Sequence, residues 1–388
     1  MKRKSTPFNI SHSAFDIPHS KDIIDNFENN IFSVLKTYPR ETCFLAAVSG
    51  GADSMAMLAA LYSAESALFE NSNFNFKFSA VHVEHGIRPA EESRGDADFV
   101  RDFCREKKIE CIVKHIPPGR VAALSQRKGC GVEAAARFFR HKILCKTAAA
   151  LGENTVILLA HTKDDLLETA LMRALRGAGP SGLAGMRITN EECKANGKRG
   201  ICILRPLITM SRFDVIDYLM AKGVAWREDS TNKSDVFLRN KIRHKLVPLL
   251  NEYFPAWKKG VSSMAETQSL AADFLVSEAD LRVQWKKEDQ PDVNYFSLSI
   301  NEKIFFNQPQ IIREEAVFAG INKLSSSQNK IPKKSIKRSV VRQFCAGDIN
   351  SANLGVVRLE RKNEKIFIVK NRVEYFEKGI SKLIQNID

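Results

Sequence analysis

The segment Leu45-Ala46-Ala47-Val48 runs directly into Ser49-Gly50-Gly51-Ala52-Asp53-Ser54, and a helical pattern follows. A buried strand, a glycine turn and a helix start make backbone N–H groups converge on an anion. Glycine permits the close approach, and the helix dipole favours negative charge there. Ser49, Gly50, Gly51, Ala52, Asp53 and Ser54 are therefore expected to bind phosphate, with the two serine hydroxyls as further donors. Asp53 is the odd member, because a carboxylate repels a phosphate. It makes sense if it holds a divalent cation that also touches the phosphates, or if it caps the helix. No G-x-x-x-x-G-K-[ST] occurs, so the loop is not a Walker A loop.

A second cluster, Ala160-His161-Thr162-Lys163-Asp164-Asp165-Leu166-Leu167-Glu168-Thr169, follows another apolar run. On a helix, His161, Asp165 and Glu168 share one face. Carboxylates at the C-terminal edge of an open α/β sheet sit where such sheets bind ligands. They suit a metal or an ammonium group; an acidic first turn favoured by the helix dipole is the plainer reading. Glu133 and Arg137 open a further helix, either as a surface ion pair of small value or with the arginine aimed at a phosphate or carboxylate. Gly177-Ala178-Gly179-Pro180-Ser181-Gly182 matches G-x-G-x-x-G, but it follows a helix and carries Pro180, so the dinucleotide reading fails on context. It reads as a loop beside the active site. His82 and His85 lack a further ligand set nearby and read as structural.

These groups need elements to position them. Short apolar runs at Cys43–Val48, Phe76–Val83, Glu110–His115 and Thr155–Ala160 alternate with helical patterns at 54–68, 91–107, 132–151 and 164–176. That alternation predicts a parallel sheet with helices on both faces. Ile23, Ile24, Phe27, Ile31, Phe32 and Leu35 predict a leading helix, and residues 185–207 two strands around a polar loop. A long helix over 262–285 has no strand partner. The boundaries expected are a catalytic domain at 1–257, a linker helix at 258–290 and a smaller α+β domain at 291–388 ending in a hairpin at 356–370.

The net charge of +14 on 388 residues points to an anionic partner, with nucleic acid the commonest soluble one. The eight cysteines include no C-x-x-C pair, so reduced thiols are expected. No apolar run approaches the roughly 20 residues of a membrane span. With no secretory signal either, the expectation is a soluble, cytoplasmic protein. The oligomeric state is left open, a homodimer included.

The hexad resembles the signature S-G-G-x-D-S of the PP-loop ATP pyrophosphatases, which cleave ATP between the α and β phosphates. Within that group the chain resembles the tRNA(Ile)-lysidine synthetase family. The resemblance is carried by Ser49–Ser54, His82-Val83-Glu84-His85-Gly86-Ile87-Arg88, Glu133–Arg137, Ala160–Thr169 and Arg176–Leu183. Arg205-Pro206-Leu207, Trp226–Asn232 and Arg239-Asn240-Lys241-Ile242-Arg243 complete it, in the family's order over residues 45–250. It implies a doubly wound PP-loop ATPase fold of the adenine nucleotide alpha hydrolase type. It also implies a two-step reaction: ATP adenylates C2 of the wobble cytidine in a tRNA(Ile) with a CAU anticodon, and free L-lysine then displaces AMP. Carried onto this sequence, the hexad holds ATP with Asp53 on Mg²⁺. Asp165 and Glu168 bind and deprotonate lysine, and Arg137 is a catalytic arginine.

Two positions depart from the pattern: Glu84, where the family has Asn, Asp or His, and His141, where it has Tyr. They put contacts to adenosine or base in doubt more than the chemistry. The basic run Lys333, Lys334, Lys337, Arg338 and Arg342 suits phosphate contacts along a tRNA arm, or a solvated basic face. Two rivals remain. A 2-thiolating PP-loop enzyme with C-x-x-C cluster ligands has no support in these cysteine spacings. A small-molecule adenylating ligase fits the charge poorly.

Overall fold

The computed structural model describes residues 20–71, 77–86, 90–192, 201–228, 238–288, 297–325, 336–355 and 357–370. Helix α1 (Ser20–Leu35) buries Phe27, Ile31 and Leu35 at helical spacing. After it come β1 (Cys43–Ala47), α2 (Ala52–Asn71), β2 (Lys77–Glu84), α3 (Ala90–Glu106) and β3 (Cys111–His115). Next are α4 (Arg120–Lys128), α5 (Val132–Leu151), β4 (Thr155–Leu159), α6 (Lys163–Ala174), α7 (Pro180–Leu183), β5 (Thr189–Glu192), β6 (Ile201–Leu204) and α8 (Arg212–Lys222).

The six strands form one sheet in the order β3-β2-β1-β4-β6-β5. All pairings are parallel except that of β5 with β6. The central strands are covered on both faces and so read as continuous apolar runs. One face packs against α1, α2, α3 and α8 through Phe44, Met55, Leu58 and Tyr218. The other packs against α4 and α5 through Leu45, Val81, Phe139 and Ile157. From β1 the chain winds outward to β2 and β3, then returns to place β4 on the other side of β1. The strand order therefore reverses between β1 and β4. The crevice beyond their carboxyl ends is where open α/β sheets bind ligands.

Three joined helical pieces follow: α9 (Leu238–Lys241), a π-helical turn at Ile242–Leu246, and α10 (Val247–Tyr253). Helix α11 (Trp257–Arg282) then leads to an antiparallel five-stranded sheet, β7-β8-β11-β10-β9. Its strands are β7 (Lys286–Glu288), β8 (Ser297–Asn301), β9 (Ser351–Asn353), β10 (Val357–Lys362) and β11 (Lys365–Lys370), and its helices α12 (Glu302–Phe306), α13 (Gln310–Ser325) and α14 (Arg338–Ala346). Leu275 and Ala279 of α11 belong to the core of this sheet, with Phe305, Val317, Phe344 and Leu359. The same helix packs against α6 and α7, so α11 is built into both units rather than bridging them freely. No helix among the described residues is long and apolar enough to cross a membrane.

Candidate active site

The phosphate loop lies between β1 and α2, as the sequence pattern requires. Gly50 has φ +88°, a left-handed conformation that costs a residue with a Cβ roughly 1–2 kcal/mol. The loop is wired internally. The Ser49 amide donates to Ser54 Oγ at 3.1 Å, the Gly51 amide to Ser49 Oγ at 3.4 Å, and the Ser54 hydroxyl to the Gly51 carbonyl at 2.9 Å. The amides of Gly50, Ala52, Asp53 and Ser54 have no acceptor among the described residues. These are the orphan donors of a helix start, free to receive an anion. One expectation changes here: Ser54 is buried, and its proton holds the loop shut. Ser49, which is exposed, is the better placed to face a phosphate.

Supports outside the hexad fix the loop from both sides. His82 on β2 is buried, and its Nδ1 donates to the Val48 carbonyl at 2.9 Å. Burial lowers the pKa of this ring, which keeps it neutral. The Arg227 amide donates to the Gly50 carbonyl at 2.9 Å, while its guanidinium holds Asp96 at 2.6 Å and the Gly95 carbonyl at 3.1 Å. His82 thus has the structural role expected of it, and Arg227 is a loop support that the sequence marked only as part of a motif. Glu84 pairs with His115 Nδ1 at 2.8 Å on the neighbouring strand, and His141 lies 3.7 Å from the Cys145 thiol.

Asp53 follows the loop and meets Arg212, the first residue of α8, at 2.5 Å. Burial raises the pKa of the Asp53 carboxyl and the Asp165 charge adds to this, while Arg212 works in the opposite direction. Its Oδ2 accepts no hydrogen bond among the described residues. One open carboxylate oxygen beside free loop amides fits Mg²⁺, which takes one or two protein carboxylates and completes its shell with substrate phosphates and water.

The acidic cluster opens α6 beside β4. Thr162 caps the helix: its Oγ1 accepts from the Asp165 amide at 3.5 Å, and Asp165 Oδ2 accepts from the Thr162 amide at 3.0 Å. Asp165 and Glu168 are not open to solvent. Arg239 donates to Glu168 at 2.8 Å and to Asp165 at 2.6 Å. Arg243 donates twice to Glu168, at 2.6 and 3.0 Å. Burial works against the Arg243 charge, and the hydrogen bonds to Glu168 more than restore it. Sequence reasoning missed both arginines as site residues, although the block Arg239–Arg243 stood out as a motif. The π-helical turn that holds Arg243 was a signal available only from the backbone, and such turns recur at functional sites.

Arg137 is exposed on α5, and its charge acts on Arg140 and His161. Burial, with the charges of Arg137 and Arg239, lowers the Arg140 guanidinium to about 10. Burial likewise drives His161 down to about 3, with Arg137, Arg205 and Arg140 acting in the same direction and Asp165 against them. His161 is therefore a neutral ring at the hinge between β4 and α6. Asp53, next to the loop, feels the Asp165 charge, and Arg137 acts on His161, which Asp165 also reaches.

The basic run of the second unit divides. Lys333 and Lys334 lie outside the described residues. Lys337 is exposed at the start of α14. Arg338 is not a free phosphate ligand: it bonds Glu314 at 3.2 Å and Glu315 at 2.8 Å, both buried, and lies over the Phe318 ring. Arg342 reaches Glu314 at 3.3 Å and is otherwise mostly exposed. The basic run carries no acid of its own, and the acids come from α13, beyond the reach of local sequence pattern.

A strand–glycine loop–helix cradle at a topological switch point, faced by carboxylates and arginines, defines a PP-loop nucleotide site. A PP-loop domain family profile matches residues 23–250, and the chain belongs to this ATP-utilising family. Its sequence relatives narrow the comparison. A tRNA(Ile)-lysidine synthase from Treponema denticola is 37% identical over 301 residues, covering 74% of this chain and 62% of the relative. One from Treponema pallidum (strain Nichols) is 39% identical over 242 residues, covering 62% and 47%. The chain thus spans about half to three-fifths of the length of these relatives. Among solved structures, a U34-tRNA thiolase from Methanococcus maripaludis superposes with a TM-score of 0.49 at 16% identity, over 64% of this chain and 80% of that one.

Proposed function

We propose that the protein forms lysidine: it adenylates C2 of the wobble cytidine of a CAU-anticodon tRNA(Ile) with ATP and then joins lysine there. The supporting observation is the meeting, at one crevice, of an anion-seeking loop with a buried carboxylate pair that is already gripping cationic side chains. A site that holds guanidinium groups this way suits the ammonium of lysine.

In the first half, the amides of Gly50, Ala52, Asp53 and Ser54, with Ser49, hold the triphosphate tail. Arg212, paired with Asp53 at 2.5 Å, favours the ionised form of its carboxyl against the effect of burial. Mg²⁺ held by Asp53 would supply charge neutralisation as pyrophosphate leaves. The cytidine O2 attacks the α-phosphorus, the bond to the β-phosphate oxygen breaks, and pyrophosphate departs. Arg137, exposed on α5, offsets the charge that develops. In the second half, the lysine ε-ammonium exchanges with an arginine at Asp165 and Glu168 and gives up a proton to this pair. The neutral amine attacks C2, and O2 leaves with AMP. His161, held neutral by burial, does not compete for that proton.

Nucleoside analysis of tRNA(Ile) incubated with ATP, Mg²⁺ and labelled lysine tests the proposal. Labelled lysidine at the wobble position is the expected product. Pyrophosphate release at an equal rate with no RNA present overturns it.

A further inference from the structure

A cleft of about 290 Å³ opens between the two units, lined by Arg176, Gly177, Lys337, Arg338, Ser339 and Arg342. Four of its six residues are cationic. Arg338 is committed to Glu314 and Glu315, and Arg342 leaves Glu314 with most of its side chain exposed. The Arg176 and Lys337 side chains are exposed and have no ion pair or hydrogen bond among the described residues. Two unpaired cations and a half-engaged third therefore face one concave space, with the Ser339 hydroxyl as a neutral donor. An isolated surface would spread such charges apart. Here the fold brings them together: an ideal Cβ on Gly179 would lie 2.5 Å from the Arg338 guanidinium, so a side chain there would displace Arg338 from its place against the loop after α6. Ser181 extends the same contact, donating to Glu315 at 3.4 Å.

We propose that this cleft seats a backbone phosphate of the RNA substrate, with Arg176 and Lys337 as its ligands, Arg342 and Ser339 assisting, and the half-buried Arg338 as the strut that builds it. The proposal rests on the RNA-modifying reading of the site and locates where the strand leaves it. Arg176 lies two residues beyond α6, whose first turn carries Asp165. At 1.5 Å per residue, the cleft and the carboxylates are roughly 12–18 Å apart along that helix. That is roughly four or five nucleotides of strand at about 3.4 Å each. A phosphate held there fixes the RNA in register without reading its sequence. It also ties the second unit to the same helix that carries the chemistry.

The test measures binding against salt for the wild type, R176Q/K337Q and K362Q, with tRNA(Ile) and with a short RNA duplex of unrelated sequence. Lysidine formation is measured on the same preparations. Loss of two phosphate-facing cations should lower the slope of log K against log[salt] by about 2 and weaken binding roughly thirtyfold near 0.15 M salt, for both RNAs. K362Q, at the exposed end of β10, should leave the slope at the wild-type value. An unchanged slope in R176Q/K337Q, an equal drop in K362Q, or a wild type that binds neither RNA overturns the cleft assignment. A wild type that makes no lysidine while the duplex slope still falls in R176Q/K337Q sinks the proposed reaction and leaves the cleft standing. A thermal midpoint for R176Q/K337Q equal to that of the wild type shows that the loss is one of binding. If the double variant folds poorly, the single variants R176Q and K337Q decide the matter, each expected to lower the slope by about 1.

Discussion

Replacing Glu168 by Gln should uncouple the site from its own scaffold. The Glu168 side chain is 5% exposed and accepts three hydrogen bonds, at 2.8, 2.6 and 3.0 Å, from Arg239 and Arg243. Glutamine keeps the shape but offers one acceptor oxygen. At least one guanidinium donor then faces an amide NH₂. Charge-assisted bonds contribute roughly 1.5–3 kcal/mol each and neutral ones about 1. Removing one partner of a buried pair costs about 3–5 kcal/mol in general. Arg239 and Arg243 keep 23% and 40% of their side chains exposed, so water recovers part of that cost. The net expectation is about 3 kcal/mol, or a fall in Tm of roughly 6–12 °C. Asp165→Asn should cost less, about 1 kcal/mol, because Asn keeps the helix cap and loses mainly the 2.6 Å bond to Arg239. Calorimetry or far-UV circular dichroism melts of the two variants give the comparison. A Glu168→Gln variant that melts within about a degree of the wild type, or an Asp165→Asn variant that falls further, would refute the reasoning.

Asp53→Ala should abolish pyrophosphate release while leaving nucleotide binding measurable; release at the wild-type rate removes Asp53 from the mechanism. Asp165→Ala and Glu168→Gln should raise the KM for lysine far more than the KM for ATP, and equal changes in both would return these carboxylates to a purely structural role. Gly50→Ala forces a Cβ into φ +88° and should weaken ATP binding by roughly tenfold, as 1–2 kcal/mol requires; unchanged affinity shows that the loop tolerates another backbone path. His161 has a folded pKa of about 3, below its value in the unfolded chain, so the unfolded state binds the extra proton and stability falls as pH drops from about 6.5 towards 3. His161→Gln should flatten that fall by up to about 1.4 kcal/mol per pH unit, read from urea midpoints between pH 7 and about 4.5; identical pH dependence in the two proteins contradicts the buried neutral ring.

Much of the catalytic half was legible in the sequence, because its signals are local. Strand and helix periods, the glycine bend at Gly50 and the acidic first turn of α6 are set within a few residues of one another. Their alternation also constrains topology, since parallel strands need helical crossovers. The second unit was harder to read. Strands β7 and β9 are only three residues long, and the pairing of β8 with β11 joins segments more than sixty residues apart. Short strands carry little pattern of their own, and their identity comes from the partner.

The chain's order of residues determined that a phosphate-seeking turn would follow β1 and that acids would open α6. Which cations would meet those acids was decided by the tertiary structure alone. Arg239 stands 74 residues from Asp165, Arg212 stands 159 from Asp53, and Arg338 finds its acids on a different helix. Pairing between charges depends on distance and on shared exclusion from water, and both arise only when separate helices are packed together. The spacing along the chain carries neither.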